Sequence, residues 1–266
     1  MKYRLDKLLL MRNLVSSREK AKGYIMAGDV LVNREVITKV GAIVDESASI
    51  EIRRQAKYVS RGGLKLEKAL ESFSIDVSGF TLLDVGSSTG GFTDCLLQHG
   101  AEFVYSLDVG YNQLDYSLRN HPQVSVMEKV NVREIEQAMF DRGIDMAVID
   151  VSFISLTKVL KPVYETVSHK RILTLVKPQF ELGNDIPGFK GVVRQPHHQV
   201  LALERVGETA KLLGLTAHDA TWSPVKGPKG NIEFLLYWAE GDCDKIISFE
   251  SLVEEAHHEL DQVKTQ

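Results

Sequence analysis

The feature that most constrains the fold of this chain is a glycine-rich stretch at the end of an apolar run. Residues 80–85 are dominated by phenylalanine, leucine and valine, residues 86–91 read GSSTGG, and a helix-like run follows at 92–98. This order predicts a buried strand, a tight loop and a helix. Glycine lets backbone pass close to a ligand because it has no Cβ. The stretch therefore predicts a nucleotide-cofactor site at the end of a strand.

The spacing of the glycines narrows the choice of ligand. A dinucleotide-binding loop would read GxGxxG and a P-loop would end in GK[ST], whereas this loop reads GxxxGG. It resembles the first motif of S-adenosylmethionine-dependent methyltransferases, although an ordinary glycine turn is an alternative for the loop alone. A second apolar run, residues 104–108, ends in Asp108, 22 positions after Gly86. In a doubly wound sheet, a carboxylate at that place accepts hydrogen bonds from the cofactor ribose.

The resemblance implies S-adenosylmethionine as the cofactor, with its binding residues at the carboxyl ends of the strands. Those residues are Asp84, Gly86, Ser87, Ser88, Thr89, Gly90, Gly91, Asp108, Asn131, Val132 and Asp150. Asn131 and Val132 follow a third predicted strand at 124–127 and would approach the adenine. Asp150 ends a fourth strand at 145–150, and its carboxylate would enter the crevice.

Length and composition indicate an ordinary globular protein with one large domain and a small one. The 266 residues allow one large and one small domain, and 44% are hydrophobic against 26% charged. No apolar run approaches the roughly 20 residues that span a bilayer, and no signal peptide is recognised, so we expect a cytoplasmic monomer without membrane contact. Cys95 and Cys243 are the only cysteines. Neither a disulfide framework nor a metal site is therefore expected.

Charge is distributed unevenly along the chain. Residues 1–60 carry 12 Lys/Arg against 7 Asp/Glu, a net charge of +5, whereas the rest of the chain carries a net charge of −9. A basic module attached to an acidic body is typical of contact with a polyanion. A solvated basic face without a partner is the alternative.

The first 52 residues predict a compact module of two helices and a small sheet. A helical stripe runs through residues 4–13, and a capping box of Ser16 and Glu19 would open a second helix that closes at Gly28. Short strands are predicted at 30–32, 36–37 and 49–52. Residues 53–59, which are polar and basic, are the predicted connection to a second domain.

This module resembles the S4 RNA-binding domain. The resemblance depends on RLD at residues 4–6, LVxSRxxA at 14–21, IxxGxVxVN at 25–33 and KxG at 39–41. It implies that Arg4, Arg18 and Lys22 face RNA, binding phosphates and 2′-hydroxyls by shape. We add Arg61, from the start of the second domain, to the expected RNA contacts. The alternative is that Arg4 and Arg18 merely pair with nearby carboxylates, such as Asp6 and Glu19.

For the rest of the chain, the motifs predict an α/β Rossmann-like class I methyltransferase fold, with a doubly wound, mostly parallel seven-stranded sheet. The expected domains are residues 1–59, the α+β S4-like domain, and 60–266, the methyltransferase domain. Later elements are expected as helices at 64–70, 114–120, 198–213 and 247–262, strands at 171–178, 216–221 and 231–238, and a long substrate-facing loop at 182–199.

Four charged residues stand at the crevice edge of four different elements: Lys65, Asp150, Lys177 and Glu233. A lysine near a helix N-terminus opposes the helix dipole, and a carboxylate at the start of an apolar strand requires a cation nearby. The order of the four is similar to the Lys-Asp-Lys-Glu tetrad of FtsJ-like ribose 2′-O-methyltransferases. Residues 150–153 lack the Asn/Asp-Pro-Pro-aromatic motif of amine methyltransferases, and Cys95 is expected to be a packed residue rather than a nucleophile.

With SRGGLKL, DVGSSTGGF, DVSFISL and LVKPQFE, the whole chain resembles the TlyA family of hemolysin A-like rRNA methyltransferases. The resemblance implies methyl transfer to the ribose 2′-hydroxyl of cytidine in 16S or 23S rRNA or both, with ribosomal RNA or ribosomal subunits as partners. Lys177 is the expected base, oriented by Asp150 and Glu233. The alternatives are a non-catalytic RNA-binding protein and a membrane-lysing hemolysin.

Overall fold

The computed structural model describes residues 1–15, 17–53 and 57–262, without the side chains of Asn184, Asp261 and Gln262. The chain divides into two compact units, Met1–Lys57 and Tyr58–Gln266. The domain boundary expected between residues 59 and 60 stays a prediction.

The described residues of the N-terminal unit form two helices and two small antiparallel sheets. Its strands are β1 (Lys2–Arg4), β2 (Val30–Val32), β3 (Glu35–Val36), β4 (Ile43–Asp45) and β5 (Ile50–Ile52), and its helices are α1 (Leu5–Met11) and α2 (Arg18–Met26). β1 pairs with β4, and β2 lies between β3 and β5. Helices α1 and α2 pack their apolar residues against both sheets, with Leu5, Leu9 and Ile25 at the centre of the core.

The start of α2 differs from the sequence prediction. Ser17 is the N-cap, and its hydroxyl accepts a hydrogen bond from the Lys20 amide at 3.2 Å. Ser16, the predicted cap, lies outside the described residues. Because the helix begins at Arg18, Glu19 is its second residue, and the expected capping box is wrong. The β1–β4 pair was not predicted, since three-residue strands give too short a pattern to recognise.

The body is built on one seven-stranded sheet in the part of the chain that the structure describes. Its strands are β6 (Thr81–Val85), β7 (Phe103–Asp108), β8 (Val124–Glu128), β9 (Ile144–Ile149), β10 (Val167–Val176), β11 (Leu215–Trp222) and β12 (Phe234–Glu240). The spatial order is β11-β12-β10-β9-β6-β7-β8. Every pair from β10 to β8 is parallel, and β12 pairs antiparallel with both its neighbours. The predicted mostly parallel, doubly wound sheet is confirmed.

Helices cover both faces of this sheet. They are α3 (Gly62–Ser72), α4 (Gly91–Gln98), α5 (Tyr116–Arg119), α6 (Leu160–Thr166), α7 (Pro178–Glu181), α8 (Pro196–Leu212) and α9 (Phe249–Gln262). Apolar residues of α3 and α4 form one core with the sheet, and those of α6, α8 and α9 form the other. Because strands buried on both faces read as continuous apolar runs, the central strands were recognisable from sequence.

Several boundaries in the body depart from expectation. α5 has only four residues because Asp115 caps it, with its carboxylate accepting from the Ser117 amide at 3.0 Å. α6 was not predicted, and β10 begins at Val167 rather than residue 171. β12 begins at Phe234, so Glu233 precedes the strand instead of opening it. α8 begins at Pro196, two residues before the expected start, which shortens the expected loop.

The chain enters the body through a tightly packed tyrosine. Tyr58 is 3% exposed, and its hydroxyl donates to Glu67 Oε1 at 2.7 Å. The neighbouring Val59 amide donates to Asp94 Oδ2 at 2.7 Å. A Cβ at Gly63 would lie 2.2 Å from Cγ of the Tyr58 ring, so only glycine fits there. Tyr58 and Val59, expected in the connection, are thus fixed to α3 and α4.

Candidate active site

The glycine loop after β6 lies across the carboxyl ends of neighbouring strands. Gly86 has a φ of +84°, and a Cβ there would lie 2.5 Å from the carbonyl oxygen of Asp150. The amides of Gly86 and Ser87 both donate to the Leu107 carbonyl, at 2.8 and 3.1 Å. Gly90 has a φ of +94° at the N-cap of α4, and a Cβ would collide with side chains of α5 and the segment before it. The two glycines are therefore required by backbone conformation and by space.

Asp108 is fixed by two backbone amides at the rim of a cavity. The Gly110 amide donates to Oδ1 at 2.7 Å and the Ser88 amide to Oδ2 at 2.8 Å. Each carboxylate oxygen can accept a further hydrogen bond, so the pair can bind a ribose diol. The cavity of about 500 Å³ is also lined by Gly86, Asn131, Val132 and Asp150.

Asn131 lines this cavity, but its side chain has a structural role. Its Oδ1 accepts from the Arg133 amide at 3.2 Å, and its Nδ2 donates to Glu134 Oε1 at 2.9 Å. The side chain thus caps the short 3₁₀ turn Val132–Glu134. A contribution of Asn131 to adenine binding is left to its backbone and to the position of Val132.

Asp84 lies beneath the glycine loop and is fully buried. Its Oδ2 accepts from Thr93 Oγ1 at 2.6 Å, and its Oδ1 has no hydrogen-bond partner among the described residues. Burial disfavours the charged form and raises the pKa of Asp84 to about 7. Asp84 is thus poised to change charge near neutral pH.

The four predicted tetrad residues come together as two ion pairs. Lys177 Nζ lies 2.5 Å from Asp150 Oδ1, and Lys65 Nζ lies 2.6 Å from Glu233 Oε2. Glu233 is fully buried, so the expectation of a nearby cation is confirmed. Glu233 contacts Lys65 rather than Lys177, which corrects the expectation that both carboxylates orient Lys177.

Two cavities meet at this tetrad, and the smaller one also reaches the glycine loop. A cavity of about 280 Å³ is lined by Lys65, Asp150 and Lys177 and by the remaining loop residues Ser87, Ser88, Thr89 and Gly91. A larger cavity of about 1220 Å³ has Lys65, Lys177 and Glu233 in its wall. The tetrad therefore lies between a small cavity against the loop and a large one that can admit a bulky substrate.

Two polar partners of the tetrad were missed in the sequence. Ser152 Oγ accepts a hydrogen bond from Lys177 Nζ at 3.0 Å, and Gln179 Nε2 donates to Glu233 Oε1 at 3.1 Å. Each lies two residues after a tetrad member, on the segment that leaves the strand. That proximity was the available signal, but a serine and a glutamine have no distinctive pattern of their own.

Phe153 is an unusual residue at the rim of the large cavity. It is 92% exposed, has a φ of +64° and stacks at 5.1 Å on Phe180. A left-handed backbone is uncommon for an aromatic residue, and such strain occurs chiefly at functional sites. In the sequence, this position was noted only because residues 150–153 lack the amine-methyltransferase motif, so Phe153 was not predicted as a site residue.

The predicted RNA contacts of the N-terminal unit surround a buried carboxylate. Arg4 Nε lies 3.0 Å from Asp6 Oδ1, and Arg18 Nη2 lies 2.7 Å from Asp6 Oδ2. The Arg4 hydrogen bond holds the pKa of Asp6 well below its ordinary value. The pairing alternative is thus observed for Asp6, although both arginine side chains remain nearly half exposed. Lys22 and Arg61 are exposed, each in its own unit, and the RNA role of all four stays a prediction.

Family comparisons agree with this geometry. Residues 58–239 match the FtsJ-like methyltransferase family, and residues 4–50 match the S4 domain. The first match covers more than half of the chain, so the protein is an FtsJ-like methyltransferase with an S4 domain.

Full-length relatives define the family more narrowly. The Bacillus subtilis protein YqxC, which carries a provisional rRNA methyltransferase name, is 45% identical over 99% of this chain and 97% of its own. The 16S/23S rRNA (cytidine-2′-O)-methyltransferase TlyA of Mycobacterium tuberculosis is 38% identical over 97% of each chain. A solved Streptococcus thermophilus structure, described provisionally as a hemolysin, superposes with a TM-score of 0.78 at 39% identity, covering 100% of this chain and 99% of that one. The chain belongs to the TlyA (hemolysin A-like) family.

Two absences apply to the described residues only. No helix there is long and apolar enough to cross a bilayer. No cluster of three or more histidine, cysteine, aspartate or glutamate side chains is arranged to bind a metal ion.

Proposed function

We propose that the protein transfers a methyl group from S-adenosylmethionine to the ribose 2′-hydroxyl of a cytidine in 16S or 23S ribosomal RNA or both. The observation that carries the proposal is the pair of lysine–carboxylate contacts beside the glycine loop, Lys177–Asp150 at 2.5 Å and Lys65–Glu233 at 2.6 Å. The activity for which the Mycobacterium tuberculosis relative is named supports this choice of substrate.

The residues around the loop fit the proposed cofactor. A Cβ at Gly86 would collide with the Asp150 backbone, so glycine is needed for the loop to pass this close to the next strand end beside the cavity. Asp108, held by two amides, would accept the ribose hydroxyls, and Val132 would contribute to the adenine wall. When bound, the cofactor supplies an electrophilic methyl group.

Lys177 is placed to manage the proton of the attacking hydroxyl. A ribose hydroxyl is a weak nucleophile and must lose its proton as it attacks, which requires a base within hydrogen-bond reach. After releasing its own proton to solvent, Lys177 Nζ would accept the hydroxyl proton as the oxygen takes the methyl group, and Asp150 would stabilise the ammonium that forms again. Ser152 fixes the direction of the amine through its 3.0 Å hydrogen bond. Orientation of the hydroxyl also contributes, since a well-aligned attack lowers a barrier by several kcal/mol, on the order of 7.

The large cavity suits a nucleotide presented outside a helix. Its wall combines the tetrad lysines with Arg133, Lys158 and the exposed Phe153. Aromatic rings stack on unpaired bases, and basic side chains bind the adjoining phosphates. We infer that the target base leaves its stack to bring the ribose to Lys177. Arg4, Arg18 and Lys22 would dock the S4 domain on structured RNA.

The test is transfer of radiolabelled methyl from S-adenosylmethionine to ribosomal subunits that lack the modification. We expect label in ribose with the wild type and a loss of at least about 100-fold in rate for Lys177→Ala, since a general base contributes roughly that much. Lys170→Ala is the matched control, because Lys170 lies on the same strand and donates to the Tyr164 carbonyl. That variant should retain the wild-type rate.

Other outcomes discriminate between the hypotheses. Label that persists in Lys177→Ala would move the base elsewhere. No label on either subunit, with cofactor binding demonstrated, would contradict the substrate. RNA binding without cofactor binding would favour a non-catalytic RNA-binding protein. Dye leakage from liposomes treated with the purified protein would support the hemolysin alternative. The cytoplasmic location and the monomeric state stay predictions.

A further inference from the structure

Glu233 is closely surrounded by residues of other elements. Its side chain has no exposed surface, and a Cβ at Gly227 would lie 2.1 Å from its Oε1. Lys65 binds Oε2 at 2.6 Å, and the Gln179 amide binds Oε1 at 3.1 Å. Each carboxylate oxygen therefore has a donor from a different element, α3 for Oε2 and α7 for Oε1.

Gln179 makes this contact at a cost to its own hydrogen bonding. The residue is only 7% exposed, and its Oε1 has no partner among the described residues. A buried acceptor without a partner is unfavourable. The amide cannot turn around to relieve this, because a carboxylate only accepts and would then face the carbonyl oxygen. The orientation of Gln179 is thus set by Glu233.

The position of Gln179 is fixed by its place in the chain. It is the second residue of α7, which begins with Pro178 directly after Lys177. At the other end of this turn, Glu181 accepts from the Leu156 amide at 2.9 Å and from Ser155 Oγ. The turn is therefore anchored to the loop that carries Ser152, and Gln179 has little freedom to move.

We propose that Gln179 is a positioning residue that keeps the Glu233 carboxylate directed at Lys65. Each lysine of the tetrad then has a carboxylate of its own, and Lys177 is left paired with Asp150. Without the amide, the Glu233 carboxylate could rotate, and Lys65 would compete with Lys177 for Asp150. The inference rests on the proposed function, because it assigns Gln179 a role in the same reaction.

The first test replaces the amide with a side chain of similar shape that cannot donate. We expect Gln179→Met to lower kcat by about 10- to 100-fold, as small misplacements at a reacting centre do, and to leave KM for S-adenosylmethionine unchanged. Thr174→Val is the control. Thr174 is equally buried, lies on β10 and accepts from Trp238 Nε1 at 2.9 Å, so its loss costs stability without touching the tetrad.

The second test uses pH. Gln179→Glu retains the shape, but an ionised carboxyl at position 179 would repel Glu233. When protonated, the same group donates a hydrogen bond as the amide does, so activity relative to wild type should rise as pH falls. Gln179→Met has no such group and should show no rescue. The other charged residues that line the two cavities at the tetrad are present in both variants: Arg61, Lys65, Arg133, Asp150, Lys158, Lys177, Glu181, Arg205, Lys226 and Lys229.

The outcomes separate the two proposals. If wild type transfers methyl and Gln179→Met has the kcat of Thr174→Val, the positioning role is wrong and the function stands. A reduced kcat in Gln179→Met without low-pH rescue in Gln179→Glu would also contradict it, because donation to Glu233 would then not be the cause. Absence of transfer by wild type would instead overturn the function.

Discussion

Two carboxylates without exposed surface, Asp6 in the N-terminal unit and Asp84 in the body, have opposite electrostatics. Asp6 has a guanidinium on each oxygen, and its pKa is held well below the ordinary value, with the Arg4 hydrogen bond as the largest cause. Asp84 accepts from the Thr93 hydroxyl, and burial raises its pKa to about 7. The difference teaches that a buried acid stays charged where cations hold it near the surface of a small unit, whereas deep burial beside a hydroxyl favours the neutral acid.

Glu233 extends the comparison to the tetrad. It is as buried as the other two, and its partners are one ammonium and one amide. Arginine supplies a rigid fork that stays charged and suits a structural pair, as at Asp6. Lysine is a compact charge on a flexible stem, which suits a site where pairing must change during a reaction. The N-terminal unit therefore pairs its buried carboxylate with arginine, and the candidate active site pairs its own with lysine.

The largest expected effect comes from removing the cation beside Glu233. Lys65→Met leaves a fully buried carboxylate with only an amide donor, and breaking such a pair costs about 3–5 kcal/mol in the free energy of unfolding. Urea unfolding followed by circular dichroism measures it. Lys68→Met, on the same helix, is the control and should change stability by less than about 0.5 kcal/mol. A small effect at Lys65 would contradict its assignment as the main partner of Glu233.

The second prediction concerns the pH dependence of stability at Asp84. Because the folded state binds this proton more tightly than the unfolded chain, the free energy of unfolding should fall as pH rises from about 4 to about 7, by on the order of 3 kcal/mol. Asp84→Asn should remove this slope, while its side chain still accepts from Thr93. Urea unfolding of both proteins at several pH values measures the difference. Parallel profiles would show that Asp84 titrates normally.

The smallest effect is expected at Asp6 and has the opposite sign in pH. Its stabilisation is present above the ordinary carboxyl pKa of about 4 and is lost as pH falls below it. At neutral pH, Asp6→Asn should lower the free energy of unfolding of the N-terminal unit by about 1–2 kcal/mol, because both arginines are nearly half exposed. Thermal unfolding of that unit, compared with the exposed-site control Glu19→Gln, measures it. If Asp6→Asn lost no more stability than Glu19→Gln, the arginine pairs would not stabilise the fold, and Asp6 would not differ from Asp84 in this respect.

Much of the body could be predicted because its signals are local and strong. The run before Gly86, the acid at Asp108 and the glycine spacing each report one backbone requirement, and the sheet follows from apolar runs of strand length. The two strands of the β1–β4 pair and helix α6 were missed for the opposite reason. They are short, and their stability comes from packing against the rest of the fold rather than from a sequence pattern.

The charged residues of the site were predicted from the sequence, whereas their neutral hydrogen-bond partners were not. Four ionisable residues at the ends of predicted helices and strands can be recognised in a sequence, because burying a charge requires a partner. Which lysine pairs with which carboxylate was not visible, since it depends on where α3 and the segment before β12 meet in space. Gln179 and Ser152 could not be assigned for the same reason. Their roles are defined only by atoms from other elements.

The turn α7 has a consequence for how this segment can change in evolution. Gln179 and Glu181 point to two different anchors, the Glu233 carboxylate and the loop at residues 155–156. A substitution at either residue affects one anchor. An insertion or deletion of a single residue between Lys177 and Glu181 would rotate the turn by about 100° and release both at once. The length of this segment is therefore constrained more strictly than its composition, because the segment sets the distance between the Glu233 carboxylate and the loop at residues 155–156.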